Sequence, residues 1–158
     1  MSLKTTISFA IQPFEGTHSV IPLIDGTSLI EVVLAFESKQ GFDVAGGYGG
    51  LIPAWFKYGP LDRYFFGDFE PDGCFANMGS IYLLGCDCGE VGCWPLIAKI
   101  EATREFVKWL DFRQPHRPSR DYSGFGPFIF EANQYRKAVL KLIDDLSTLA
   151  AINKNHGE

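Results

Sequence analysis

Three cysteines stand within eight residues of one another in Cys86-Asp87-Cys88-Gly89-Glu90-Val91-Gly92-Cys93-Trp94, a C-x-C-x4-C spacing. Thiolates this close can supply three ligands of a tetrahedral zinc ion, with Gly85, Gly89 and Gly92 freeing the backbone to wrap around it. The usual fourth ligand would be a cysteine or histidine from elsewhere in the chain. No second C-x-C or C-x2-C pair accompanies the cluster, so two other readings stand beside the metal. Three small thiols can pack next to a strand end as ordinary buried residues. A Cys-x-Cys disulfide closes a tight ring, strained and easily reduced, as a thiol oxidant or sensor would need. Cys74 is isolated and reads as buried or incidental.

A second segment, Arg113-Gln114-Pro115-His116-Arg117-Pro118-Ser119-Arg120, concentrates positive charge in an acidic chain. Guanidinium forks suit carboxylates and phosphates, and the two prolines stiffen the backbone that presents them. Arg113, Arg117 and Arg120 are therefore candidates for a small anionic ligand or an acidic protein partner. The plainer reading is a solvated loop whose arginines pair with carboxylates such as Asp111 and Asp121. His116 is the best candidate to complete a Cys3His site with Cys86, Cys88 and Cys93, and it cannot readily contact an anion as well. Cys93 with His116 is also the one Cys/His pair that can be placed together for nucleophilic chemistry, but no orienting acid or oxyanion donor can be assigned.

Two further segments imitate known sites. Gly46-Gly47-Tyr48-Gly49-Gly50 lacks the G-x-G-x-x-G order of a nucleotide loop and reads as a flexible loop flanking a pocket, packed by Trp55, Phe56 and Tyr58. Asp68-Phe69-Glu70-Pro71-Asp72-Gly73 opens like a calcium loop, but Gly79 stands where a bidentate Glu is needed, so a turn is the better reading.

The elements that must position these residues are legible from periodicity. Ile7, Phe9 and Ile11 alternate as a strand, and residues 19–24 form a second apolar run stopped by Asp25-Gly26. Ser28-Leu29-Ile30-Glu31 is a capping box, with Ser28 placed to accept from the Glu31 amide. A helix follows through Leu29, Val32, Val33 and Phe36 to Gly41. Residues 41–60 read as one long loop. Residues 63–66 look like a short strand, and 68–77 like a turn-rich excursion. A strand over 80–84 runs into the cysteines, and residues 94–101 and 106–112 form a hairpin about Ala102-Thr103-Arg104-Glu105. That hairpin brings Cys93 opposite the region of Gln114 to His116. Residues 127–130 form a last short strand. Ala132, Tyr135, Val139, Leu142, Ile143, Leu146 and Leu149 make one apolar helical stripe, ahead of a polar tail after Ile152. The pattern predicts one α+β domain over residues 1–158: a mostly antiparallel sheet, one helix near the N-terminus and one amphipathic C-terminal helix.

Composition bounds the function. The 158 residues fit one domain, and fourteen Phe, six Tyr and three Trp point to a thick aromatic core. A net charge of −5 argues against nucleic-acid binding, which needs a basic surface. There is neither an apolar run of membrane-spanning length nor a signal-peptide stretch, so a cytoplasmic location with reduced thiols is expected.

Leu23-Ile24-Asp25-Gly26, Ala45-Gly46-Gly47-Tyr48-Gly49-Gly50-Leu51, Leu83-Leu84-Gly85-Cys86 through Leu96, Gln114-Pro115-His116-Arg117 and Tyr122-Ser123-Gly124-Phe125-Gly126-Pro127-Phe128 resemble a family of uncharacterised bacterial proteins. The resemblance covers about residues 20–140 and implies a bacterial origin, with no activity attached to it. Three functional readings follow from the residues. The first is a binding or interaction module with a structural cysteine cluster, holding zinc as cofactor and meeting an acidic partner through its arginines. The second is a thiol-dependent redox protein or enzyme. The third is a small antidote or adaptor protein without small-molecule chemistry.

Overall fold

The chain was analysed as a computed structural model, which describes residues 5–68 and 80–156. The N-terminal alternation folds as a hairpin, β1 (Ile7–Phe14) and β2 (Thr17–Ile24), paired Phe14 to Thr17 and Ile7 to Ile24. Its turn is Glu15-Gly16, both at positive φ, the backbone that lets a two-residue loop match the twist of its strands. Asp25-Gly26 repeats the device, turning β2 into the short β3 (Thr27–Ser28). Helix α1 (Leu29–Lys39) starts at once, and its N-cap Ser28 accepts from the Ile30 amide at 3.1 Å rather than from that of Glu31. Gly41, at φ 73°, follows the C-cap Gln40.

Residues 41–60 are more ordered than a loop. Tyr48–Gly49 forms β4, pairing with β5 (Ser80–Cys86), and Leu51 then bridges Val20 of β2. The glycines permit this passage between strands. A Cβ on Gly50 would stand 2.8 Å from the Val20 carbonyl, and one on Gly49 2.8 Å from that of Cys86. The short strand expected over 63–66 is instead the helical turn α2 (Leu61–Tyr64), entered from Pro60. Its apolar residues, Tyr64 and Phe65, are both buried, and a run this short carries no periodicity to separate the two states. The turn expected over 68–77, and Cys74 with it, falls almost wholly outside the described residues.

From β5 the chain continues through β6 (Leu96–Ala102) and β7 (Phe106–Arg113) to β8 (Phe128–Glu131), giving the antiparallel order β4-β5-β6-β7-β8. Thr5, just ahead of β1, bridges Phe130 of β8 in parallel, its amide 2.9 Å from the Ile129 carbonyl. With the Val20–Leu51 bridge, the two sheets join into a closed ring of strands. Helix α3 (Ala132–His156) buries Tyr135, Val139 and Leu142 against the ring and contacts β1, β7 and β8. At the β8–β1 seam its Gln134 side chain accepts from the Ile7 amide at 3.1 Å and donates to the Ile7 carbonyl at 2.7 Å, standing in for a strand. The class is α+β, as the pattern predicts. Among the described residues no helix is long and apolar enough to cross a membrane.

The aromatic core contains a polar relay. Trp109 donates from Nε1 to the Tyr135 hydroxyl at 2.9 Å, and that hydroxyl donates to the Phe65 carbonyl at 2.6 Å. Both side chains are fully buried. Tyr58 differs, since its buried hydroxyl has no partner among the described residues. The same deletion should therefore act in opposite directions at the two sites. Tyr135→Phe orphans a donor and an acceptor and is expected to cost about 1–3 kcal/mol, while Tyr58→Phe is expected to be neutral or mildly stabilising. Urea unfolding of the two variants against the parent checks both.

Candidate functional site

The buried stripe of α1 is Leu29, Val33 and Glu37, each four residues after the last and each 0% exposed. A carboxylate thus occupies an apolar position, and its two oxygens collect donors from two other segments, 46–48 and 120–122. Oε1 accepts from the Gly46 amide at 2.7 Å. Oε2 accepts from the Tyr48 hydroxyl at 2.7 Å and the Tyr122 hydroxyl at 2.5 Å, with Arg120 Nη1 at 3.4 Å. Gln114, also buried, donates to the Tyr48 hydroxyl at 3.1 Å and accepts from the His116 amide at 3.0 Å. Arg120 continues outward, donating to the Val44 carbonyl at 2.6 Å beneath the Phe42 ring.

This network seats the cysteine loop. Cys86 ends β5 opposite Tyr48, so the strand that carries the first thiol is paired with a residue bound to Glu37. The loop is tied to the same backbone at both ends. The Asp87 amide donates to the Gly47 carbonyl at 3.0 Å, and Trp94 Nε1 donates to the Gly46 carbonyl at 2.8 Å. Between these anchors run two tight turns, closed by Gly89 N to Cys86 O at 2.9 Å and Cys93 N to Glu90 O at 3.1 Å. Gly89 is required at the first, because it sits at φ 100° and a Cβ there would approach Trp55 to 2.4 Å.

The turns gather the thiols. The Sγ atoms of Cys86, Cys88 and Cys93 all lie within 4.8 Å of one another, Cys86 half-buried and the other two exposed. Their environments differ. Burial pushes the Cys86 thiol up to about 12, reinforced by its neighbours Cys88 and Cys93. Cys88 is held below its ordinary value, first by the Glu90 backbone N–H and then by the Cys86 thiol. Three sulfurs at these separations can share one soft metal ion.

His116 comes to the same loop, as the hairpin register predicts for that region. Its Nε2 lies 2.8 Å from the Gly92 carbonyl, and its ring stacks on Trp94 at 6.3 Å. The arginines separate. Arg120 is committed to the interior, its side chain 6% exposed and its carboxylate partner Glu37 rather than Asp111 or Asp121. Arg117 lies over Trp94 at 5.0 Å and donates to the His116 carbonyl. Arg113 is exposed at the end of β7. Glu37 itself escaped the sequence reading, although a signal was present: extending the stripe four residues beyond Val33 lands on it.

Comparison with protein-family models, with curated proteins and with solved structures gives no match.

Removing one partner of a buried ion pair leaves the other charge uncompensated. Glu37→Gln is expected to lose about 3–5 kcal/mol in urea unfolding, and Glu37→Gln with Arg120→Met to recover part of that loss. The phenols add a pH dependence. Burial, then the bond to Glu37, pushes Tyr122 up to about 12 and Tyr48 further in the same direction. The protonated phenols are thus favoured in the folded state. Their contribution is full below the unfolded value of about 10 and is lost as pH rises through about 12. Alkaline unfolding should accompany tyrosinate absorbance in that window, and absorbance developing near pH 10 without unfolding would contradict it.

Proposed function

We propose that this protein is a cytoplasmic binding module whose 86–93 loop is organised by one soft metal ion, zinc before others. The observation that carries the reading is the gathering of three sulfurs within 4.8 Å on one glycine-hinged loop. Zinc–sulfur bonds of about 2.3 Å in tetrahedral geometry separate ligand sulfurs by about 3.8 Å, so small side-chain rotations bring the thiols to bonding positions. The anchors at Gly46 and Gly47 hold the backbone while those rotations occur. Solvent exposure of Cys88 and Cys93 leaves the fourth position accessible, to water, to a ligand from a partner, or to His116 if its ring leaves Gly92. Reduced thiols in a cytoplasmic setting suit metal capture.

Elemental analysis of protein purified without chelator is expected to find about one zinc per chain. Cys88→Ser and Cys93→Ser should each abolish tight binding, and cobalt loading of the parent should give tetrahedral thiolate bands. A folded, metal-free parent whose three thiols are all alkylated at the same rate with and without added zinc would sink the reading. His116→Ala then separates the fourth-ligand options: only if the imidazole ligates should cobalt spectra change.

One observation favours a second reading, a thiol-dependent redox protein. Cys88 is exposed and its thiol is lowered by the Glu90 N–H, while Cys93 stands beside it. A Cys88 thiolate would attack a partner's disulfide and release one partner thiolate. Cys93 would then displace the second, leaving a Cys88–Cys93 disulfide and a reduced partner. A lowered value means thiolate at lower pH, so Cys88 alkylation should reach its half-maximal rate well below the pH at which Cys86 does. Equal, slow alkylation of both thiols across neutral pH removes this reading.

A further inference from the structure

We infer that the outer face of β5, β6 and β7 forms a second, separate binding site, for a small molecule that joins an oxyanion to an apolar body. The register places Ser80, Lys99 and Leu110 in one row across these strands, and Tyr82, Ile97 and Arg113 in the next. These residues alternate with Ala98, Val107 and Trp109, which face the core. A bulge lies between the rows on β7, where Asp111 and Phe112 together oppose Ala98 and Asp111 takes φ 53°. The extra residue keeps both Phe112 and Gln114 pointing inward and leaves Arg113 outward, beside Lys99. Bulges are a common means of re-aiming a side chain next to a functional site.

Residues 114–127 overhang this face and enclose a cleft of about 860 Å³, within the range of small-molecule sites. Its walls combine apolar surface from Leu110, Pro115 and Pro127 with a few polar groups. Lys99 and Arg113 line it, and among the described residues neither side chain has a hydrogen-bond or ion-pair partner. Arg117 lines the cleft too, held by the His116 carbonyl and Trp94. Against these three cations stand the carboxylates of Asp111 and Asp121, and the second is occupied by the Ser123 amide at 2.9 Å. Arg120 lines the cleft but serves Glu37. A cationic excess in a concave, half-apolar cleft, on a chain of net charge −5, selects an anion with an apolar body. Carboxylate and phosphate share that chemistry.

The test uses the full chain, with phenyl phosphate and benzoate as probes and inorganic phosphate as the reference. Calorimetry is expected to give saturable binding of phenyl phosphate or benzoate with Kd below about 1 mM, at least about tenfold tighter than inorganic phosphate. Arg113→Gln and Lys99→Gln, both on the exposed sheet face, should each weaken it about tenfold, while Lys141→Gln, on helix α3 at the opposite face, leaves it unchanged. Which probe binds better identifies the oxyanion. Absence of saturable binding for both probes, indifference to both cation substitutions, or an equal loss of binding in Lys141→Gln would overturn the site.

Discussion

A carboxylate fully withdrawn from water costs several kcal/mol unless its oxygens recover what solvent supplied. Glu37 recovers it from a backbone amide, two phenols and a guanidinium contributed by segments remote in sequence. Because each donor is itself held by that acceptor, the arrangement is reciprocal. The 46–48 segment cannot lie where it does without Glu37, nor can residues 114–122. The cysteine loop hangs from the first of these segments and the overhang of the outer cleft from the second. Two surface features, which meet where Arg117 lies over Trp94, therefore share one interior support.

That support explains a division of labour in the loop. Its backbone is fixed by the carbonyls of Gly46 and Gly47 and by two closed turns, so the Cα positions of the cysteines are set. The sulfurs lie outside this frame, two of them in solvent. Rigid backbone with free side-chain ends is a useful state for a group that must adapt to an incoming ligand, since little ordering entropy is left to lose. Trp94 extends the same logic to the surface, with His116 stacked on it and Arg117 over its ring.

Most of the fold was legible because several local signals agreed. Ser28 and Gly41 bracket a helical stripe, and Asp25-Gly26 and residues 102–105 sit between alternating runs, so pattern and punctuation pointed the same way. The passage of 46–51 between β5 and β2 was hidden because its glycines signal flexibility in sequence, yet here they allow close packing. The helical turn over Leu61–Tyr64 was hidden because four residues carry no period. The cysteine cluster was visible as spacing alone. Glu37 lies on the stripe of Leu29 and Val33 but was passed over, because a charged residue is assigned to the surface by default. Its nearest partner, Tyr122, lies 85 residues away, beyond any local pattern. Arg120 was correspondingly assigned to an anionic ligand or to a nearby acid such as Asp111 or Asp121, since nothing near it in sequence announces Glu37 as its partner.

Among the described residues the ring of strands closes through single bridges, Thr5 with Phe130 and Val20 with Leu51. The first joins residues 125 apart and therefore pays a larger loop-closure entropy than any hairpin in the molecule. At that seam Gln134 supplies from a helix the two hydrogen bonds a neighbouring strand would have made. Helix α3 thus completes the closure, and among the described residues the β1–β2 hairpin is joined to the other strands by these two bridges. The ring behaves as a clasp: its hinge is the continuous sheet from β5 to β8, and its pin is one glutamine side chain.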